Sequence, residues 1–233
     1  MAQRPVFIAH LEGESLVEVC TIDFEWCPGL ARSQRQKSVH NLHEAIRLQR
    51  PEARLLEVSR YSEIPLGDSL SAFNLTFQSR DGRREISVES TFQAAKVFER
   101  GGPYVDLRSA DPLVAKRDLR LKQSGQLVRF ELSGQSWGLH PATAFYDWIY
   151  LNALHRRPDV VAHLSLYDAF TDIAFNPQKS VNCQAGSVAL YLALEARGLI
   201  DEALTSKESF LAVLAKEHGA GRRISGEAQA RLF

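Results

Sequence analysis

Between Ser71 and Phe98 the hydrophobic period changes from two to 3.6 across a tight turn, and the rest of the chain must accommodate that switch. Ser71-Ala72-Phe73-Asn74-Leu75-Thr76-Phe77 alternates as a strand does. Asp81-Gly82 lies between β-like runs, which is a hairpin signal. From Val88 onward the apolar side chains Val88, Phe92, Ala95 and Phe98 recur at helical spacing. The spacing predicts a helix with Ser87 as its N-cap and Gly101-Gly102-Pro103 as its stop.

Three polar residues ride on that helix. Glu89, Gln93 and Lys96 stand at i, i+4 and i+7 and so share one stripe. Two readings are open from periodicity. An acid, an amide and an amine beside a strand end suit a cleft wall. Equally, Glu89 complements the helix dipole and Lys96 is a solvated side chain on an amphipathic helix.

The chain has 233 residues, enough for one large domain or two small ones. Its 28 basic and 28 acidic residues cancel. Nucleic acid held by bulk charge usually meets a basic protein, so any such contact here must be local. Cys20, Cys27 and Cys183 are an odd set without paired spacing, which argues against a disulfide framework, offers no zinc motif and makes the cytoplasm the expected compartment. Met1 is followed by Ala-Gln-Arg-Pro, so no signal peptide is expected. No apolar run approaches the ~20 residues of a membrane span.

Residues 4–9 and 16–24 read as strands around a turn at Gly13-Glu14-Ser15. Trp26 precedes a loop at Pro28-Gly29 and suits either base stacking or burial in this N-terminal sheet. Residues 31–49 read as a helix after Ser33 or Ser38, with Val39, Leu42 and Ile46 as its apolar positions. Its bases, Arg32, Arg35, Lys37, Arg47 and Arg50, form either a phosphate-facing patch or a solvated face. A strand at 54–59 leads to a loop at 64–68. Asp111-Pro112 starts another helix, and residues 126–139 read as a hairpin turning at Ser133-Gly134. Residues 143–155 form a helix so rich in aromatics that it should be buried on more than one side. Pro158 opens a short helical piece, 168–186 reads as a polar loop, and an apolar helix runs from Ser187 to Arg197. Thr205-x-x-Glu208 reads as a capping box for the last helix, before a tail expected to fray. The expected organisation is an N-terminal β-rich addition (1–68), a core (69–218) and a flexible tail (219–233). No Gly-rich phosphate loop, nucleophile elbow, H-E-x-x-H or deaminase signature is present, and the seven histidines are scattered, so no metal site is expected.

Ser71-Ala72-Phe73-Asn74 followed by Glu89-x-x-Phe92-Gln93-Ala94-x-Lys96 resembles the two N-terminal motifs of the NADAR superfamily. Asp172-Ile173-Ala174-Phe175 resembles that family's Asp-Ala-Tyr-Trp loop, and Asn182 before an apolar helix fits as well. Pro5-Val6-Phe7-Ile8, Trp26, Ala144-Phe145-Tyr146-Asp147-Trp148, and Asn176-Pro177-x-Lys179-Ser180-x-Asn182-Cys183-Gln184-Ala185 are similar to one subgroup, the NADAR antitoxins encoded beside DarT-type DNA ADP-ribosyltransferases. Three positions depart from the pattern: Ser90 stands for the motif His, Phe175 for the loop Trp, and the motif Asn is displaced from Ala72 to Asn74.

The resemblance implies an α+β, mainly helical single domain with short β-hairpins and an N-terminal β-rich addition. It implies an N-glycosyl hydrolase that removes ADP-ribose from the guanine amino group in DNA and so reverses a DarT-type toxin. The expected partners are ADP-ribosylated DNA, ADP-ribose as product, and the toxin as functional counterpart, with no membrane and no cofactor. The runner-up readings are an N-glycosidase of small ribosylated metabolites and a non-catalytic ADP-ribose- or toxin-binding module.

Breaking an anomeric C–N bond builds positive charge on the ribose, which a carboxylate stabilises or meets with an activated water. Glu89 is the first candidate and Asp172 the second. Lys96 is the candidate donor to the leaving amine, or else a desolvated nucleophile passing through a Schiff base with the opened ribose. Ser71, Asn74 and Gln93 suit ribose hydroxyls. Asn182 and Gln184 suit pyrophosphate or ribose, or cap the following helix. Phe73, Phe92 and Phe175 complete the expected substrate-binding set, Phe73 and Phe92 reading more readily as core.

Overall fold

The computed structural model describes residues 1–219 other than Glu14, Arg80, Asp81 and Lys179. In chain order the strands are β1 (Ala2–Ala9), β2 (Val17–Phe24), β3 (Leu55–Glu57), β4 (Thr76–Gln78), β5 (Glu85–Ser87), β6 (Lys96–Phe98), β7 (Leu127–Leu132), β8 (Gln135–Trp137) and β9 (Ala169–Thr171). The α-helices are α1 (Arg32–Gln49), α2 (Pro65–Ser69), α3 (Val88–Ala94), α4 (Pro112–Arg117), α5 (Arg120–Gln123), α6 (Ala144–His155), α7 (Pro158–Val161), α8 (Gln184–Ala196), α9 (Ile200–Thr205) and α10 (Lys207–Gly219). The fold is mixed α+β, and among the described residues no helix is long and apolar enough to cross a membrane. The described backbone packs as two compact units, one of Met1–Ser71 with the described residues from Arg157 onward, the other of Ala72–Arg156.

The first unit is built on a four-stranded sheet in the order β2-β1-β9-β3. β1 and β2 pair antiparallel from Ala2↔Phe24 to Ala9↔Val17. β9 is antiparallel to β1 and parallel to β3. The N-terminal strands therefore share one sheet with a segment far along the sequence. α1 covers this sheet with Val39, Leu42 and Ile46, the three positions its periodicity singles out, against Val6, Ile22, Phe24, Leu55, Ala169 and Ile173. Leu42 and Ile46 are fully buried, each worth about 1.5–3 kcal/mol of apolar burial. α1 starts at Arg32 with no side-chain cap; Ser38 sits inside it instead, donating to the Gln34 carbonyl at 3.0 Å and accepting from the Cys27 amide at 3.0 Å.

Four expectations are corrected in this unit. Residues 168–186 are not one polar loop: Ala169, Phe170 and Thr171 form a buried central strand, because neighbours on both sides satisfy its backbone. The apolar helix after it begins at Gln184 rather than Ser187. The expected loop at 64–68 contains α2, whose Pro65 has a preset φ for a first helical turn. Thr205 ends α9, which the sequence reading passed over, and Ser206 Oγ accepts from the Ser209 amide to open α10. The tail beyond residue 219 lies outside the described residues.

In the second unit β4 and β5 pair antiparallel with Thr76 opposite Ser87. The tight turn expected between them includes Asp81, outside the described residues. The strand does not start at Ser71: residues 71–74 form a turn. The reason is visible in the hydrogen bonds. The Ala72 and Leu75 carbonyls accept from the Glu89 and Val88 amides, each at 2.9 Å, so this segment satisfies donors at the start of α3. Ser87 Oγ takes the Ser90 amide at 3.0 Å as the expected N-cap.

The helix expected through Phe98 ends at Ala94. Lys96, Val97 and Phe98 leave it for β6, pairing with Phe130, Arg129 and Leu127 of β7. Ladder bonds to β7 and burial of Val97 and Phe98 replace the last helical turn. All seven residues of α3 are buried, so its polar stripe does not face solvent. β7 and β8 turn at Ser133 (φ 53°) and Gly134 (φ 80°), the two left-handed positions of a type I′ hairpin. α6 is buried on several sides, as its aromatics predict. Its Phe145 stacks on Phe130 at 4.6 Å, and Phe92 of α3 meets Tyr146 edge-on at 5.2 Å.

Candidate functional site

The second unit gathers the α3 motif around one carboxylate. Glu89, in the first turn of α3, is only 5 % exposed. Gln93, one turn on, donates from Nε2 to Glu89 Oε1 at 2.8 Å. Lys116 of α4 brings its Nζ to 3.4 Å from the same oxygen. Among the described residues nothing bonds Oε2 of Glu89, and Gln93 Oε1 is buried without a partner. The site thus holds a buried, half-committed carboxylate beside an amide oxygen lacking a donor. A substrate hydroxyl, amine or water is the kind of group that would complete both.

Lys96 reaches this cluster from β6, not from the helix. Its ammonium lies 4.7 Å from the centre of the Phe92 ring. Burial drives its pKa down most strongly, Glu89 opposes, and Lys116 adds to the fall, leaving it at about 8. At pH 7 roughly one Lys96 in ten is then neutral, against about one in three thousand for an ordinary lysine. Because Lys96 begins a strand, the helical i+7 spacing from Glu89 no longer sets its distance; the field of Glu89 still reaches it.

Lys116 is not among the residues that the sequence motifs single out. The signal was the strong Asp111-Pro112 helix start, whose Asp111 carboxylate takes the Leu113 and Val114 amides at 2.8 and 3.3 Å. Ser90, in place of the motif His, donates to the Ala110 carbonyl at 3.0 Å and ties α3 to the start of α4. Phe73 is partly buried beneath the Lys116 ammonium at 5.2 Å, and Asn74 is exposed. Phe92 is held in the aromatic core by Phe130 and Phe145.

The remaining candidates belong to the first unit. Asp172 is 6 % exposed, and its Oδ1 accepts from the Ala174 and Phe175 amides at 2.9 and 3.2 Å, fixing its own loop. Phe175 is buried. Gln184 donates to the Val58 carbonyl at 2.6 Å, and Asn182 keeps a buried Oδ1 without a partner among the described residues; α8 has no side-chain cap there. Ser71 is buried.

Beside them runs a network the sequence did not reveal. Glu57 of β3 is 2 % exposed and accepts from Ser59 Oγ at 2.6 Å, Thr171 Oγ1 at 2.7 Å and the Ile173 amide at 2.8 Å. Burial nevertheless raises its pKa above the usual carboxylate value. With Thr171 donating to Glu57, the 2.9 Å contact from His43 has Nε2–H as donor. Burial holds the His43 pKa at about 4, with Arg47 and His40 adding to the fall. Among the described residues no group of three or more His, Cys, Asp or Glu side chains is arranged to hold a metal.

A search of curated proteins returns no match. A sequence profile described as DarT1-associated NADAR antitoxin matches residues 2–223. The match takes in the strands of the first unit as well as the α3 motif, and with nearly the whole chain covered, this protein belongs to the DarT1-associated NADAR antitoxin family.

Proposed function

We propose that this antitoxin is an N-glycosyl hydrolase that cleaves ADP-ribose from the amino group of guanine in DNA. Family membership gives the DarT-associated antitoxin role. The observation that carries the catalytic reading is the buried Glu89 carboxylate, oriented by Gln93 and Lys116, beside a lysine held at about pKa 8.

In this reading Glu89 stabilises the oxocarbenium-like charge at C1″ and manages the proton of the attacking or leaving group. Neutral Lys96 is the nucleophile. Its Nζ–C1″ bond forms as the bond from C1″ to the guanine amine breaks, and that amine leaves with a proton. Opening of the ribose ring gives a Schiff base, and water releases ADP-ribose and regenerates the amine. Gln93 offers its unpartnered Oε1 to a ribose hydroxyl, with Asn74 as a further hydroxyl partner. In the first unit Asp172 supports the loop that carries Phe175.

Incubation with guanine-ADP-ribosylated oligonucleotide, followed by mass spectrometry for free ADP-ribose, tests the activity. Glu89→Gln should abolish release while ADP-ribose binding persists. Toxin protection that survives Glu89→Gln would instead favour neutralisation by contact. Borohydride added during turnover should leave a reduced adduct on Lys96; an unmodified Lys96 under single-turnover conditions sinks the covalent route.

A further inference from the structure

The four bases of α1 and Arg50, its C-cap, do not behave alike. Toward its C-terminal end Arg47 pairs with Glu44 at 2.7 Å and Arg50 with Glu18. Toward its N-terminal end the bases pair with no acid among the described residues: Arg32 makes a 3.5 Å contact to the Ser62 carbonyl, and Arg35 lies over the Trp26 indole with its guanidinium carbon 4.6 Å from the ring centre. Arg4 of β1 shares the same indole at 5.2 Å. Among the described residues no carboxylate lies within ion-pair distance of Arg4 or Arg35.

Two guanidinium groups on one ring repel, and each field disfavours the other's charge. Arg4 records this: burial and Arg35 both pull its pKa down, with Asp172 and Glu57 opposing. Trp26 is itself only partly buried and braced edge-on by Phe24 at 6.1 Å. Arg4 is anchored by its Nη1 to the Gln3 carbonyl at 2.7 Å and by its Nε to the Ile173 carbonyl at 3.4 Å, one residue beyond Asp172. The first turn of the 18-residue α1 contains no acid, so its free amides add to the positive field. A planar aromatic flanked by two guanidiniums that make no ion pair among the described residues is suited to a group that is flat at one end and anionic at the other.

The geometry points to Arg4, Trp26 and Arg35 as a nucleotide-binding element, with the indole for a base and the two guanidiniums for a phosphodiester or pyrophosphate. It rests on the hydrolase reading for its biological meaning, because the proposed substrate carries that chemistry twice, in the DNA strand and in ADP-ribose. Full-length protein should be titrated with two probes separately: ADP-ribose by calorimetry, and an unmodified fluorescent single-stranded oligonucleotide by anisotropy at several salt concentrations.

Arg35→Gln should weaken one of these probes about tenfold, as loss of a charge-assisted contact does, and Arg35→Lys should restore part of it. Weakening of the oligonucleotide alone, with the salt slope falling by about 0.7, assigns the element to the DNA strand. Weakening of ADP-ribose alone assigns it to the pyrophosphate, and weakening of both assigns it to the chemistry they share. Unchanged binding of both probes in Arg35→Gln and Arg4→Gln overturns the proposal, as does wild-type protein that binds neither. Melting temperature is followed in parallel: if both variants melt early and Arg35→Lys recovers stability without recovering binding, the stack is a brace and the proposal fails. Failure of ADP-ribose release by wild-type protein would overturn the hydrolase reading and leave these binding results standing.

Discussion

Lys116→Gln isolates the electrostatics of the proposed nucleophile. The Lys116 ammonium stands 3.4 Å from Glu89 Oε1 and also depresses the Lys96 pKa. Its removal acts twice in the same direction. Repulsion on Lys96 ends, and the charge of Glu89 is no longer shared. Lys96 therefore moves from about 8 toward its ordinary 10.5. Desolvation is the largest influence and stays in place, so the rise should be on the order of one unit. One unit means about tenfold less neutral amine at pH 7 and little difference near pH 10. The assay is the single-turnover rate of ADP-ribose release from a modified oligonucleotide at a series of pH values. Wild type should show a limb rising through about pH 8 and the variant the same limb about one unit higher. Lys116 is half exposed, so added salt should move the wild-type limb the same way by less. Two profiles that run parallel at every pH, or a wild-type rate flat from about pH 7 to 9, would refute the use of neutral Lys96.

Other expectations concern the scaffold. His43 is neutral in the folded chain down to about pH 4, whereas an unfolded histidine protonates near 6.5, so its burial drains stability as pH falls between those values, by up to about 3 kcal/mol. Denaturant melts of His43→Gln against wild type should show the variant losing less stability over that range; equal losses would contradict the assignment. A Cβ on Gly67 would sit 2.0 Å from the Glu57 carbonyl and 2.4 Å from Ser62 Oγ, so Gly67→Ala should cost about 1–3 kcal/mol in a thermal melt. Ser90→Ala removes the bond to Ala110 and should cost about 1 kcal/mol, with a lower rate at pH 7 as Lys116 loses its anchorage. An unchanged rate there would separate Ser90 from the site.

Much of the scaffold was legible because its signals are local. The β-like runs of β1 and β2 around their turn, the Val39-Leu42-Ile46 stripe, the Asp111-Pro112 start and the Ser133-Gly134 turn each depend on near neighbours. The motif residues Glu89 and Gln93 were legible as a pair one helical turn apart, and they do bond. What sequence did not disclose depends on distant partners. α3 stops at Ala94 because β7, some thirty residues on, offers Lys96–Phe98 a ladder. Ala169–Thr171 is too short to show a period and becomes a strand only between β1 and β3. Glu57 looks like an ordinary strand glutamate until Thr171 and Ile173 arrive from the far end of the chain. Lys116 shows the same limit, since nothing local marks which lysine will meet Glu89.

The place of β9 also sets an order of events during synthesis. β1 and β2 are made first and can pair at once, yet β1 keeps one open edge until Ala169–Thr171 leaves the ribosome. Among the described residues β3 has no other strand partner in that sheet, so it too waits. Every strand of the second unit has already been made by then. At about 5–20 residues per second the interval between β1 and β9 lasts on the order of ten to thirty seconds. A nascent chain stopped before residue 169 would carry Glu89, Lys96 and Lys116 but leave Glu57 without its Thr171 and Ile173 donors and the sheet with an unfilled slot. Complete antitoxin is thus a late product of its own translation.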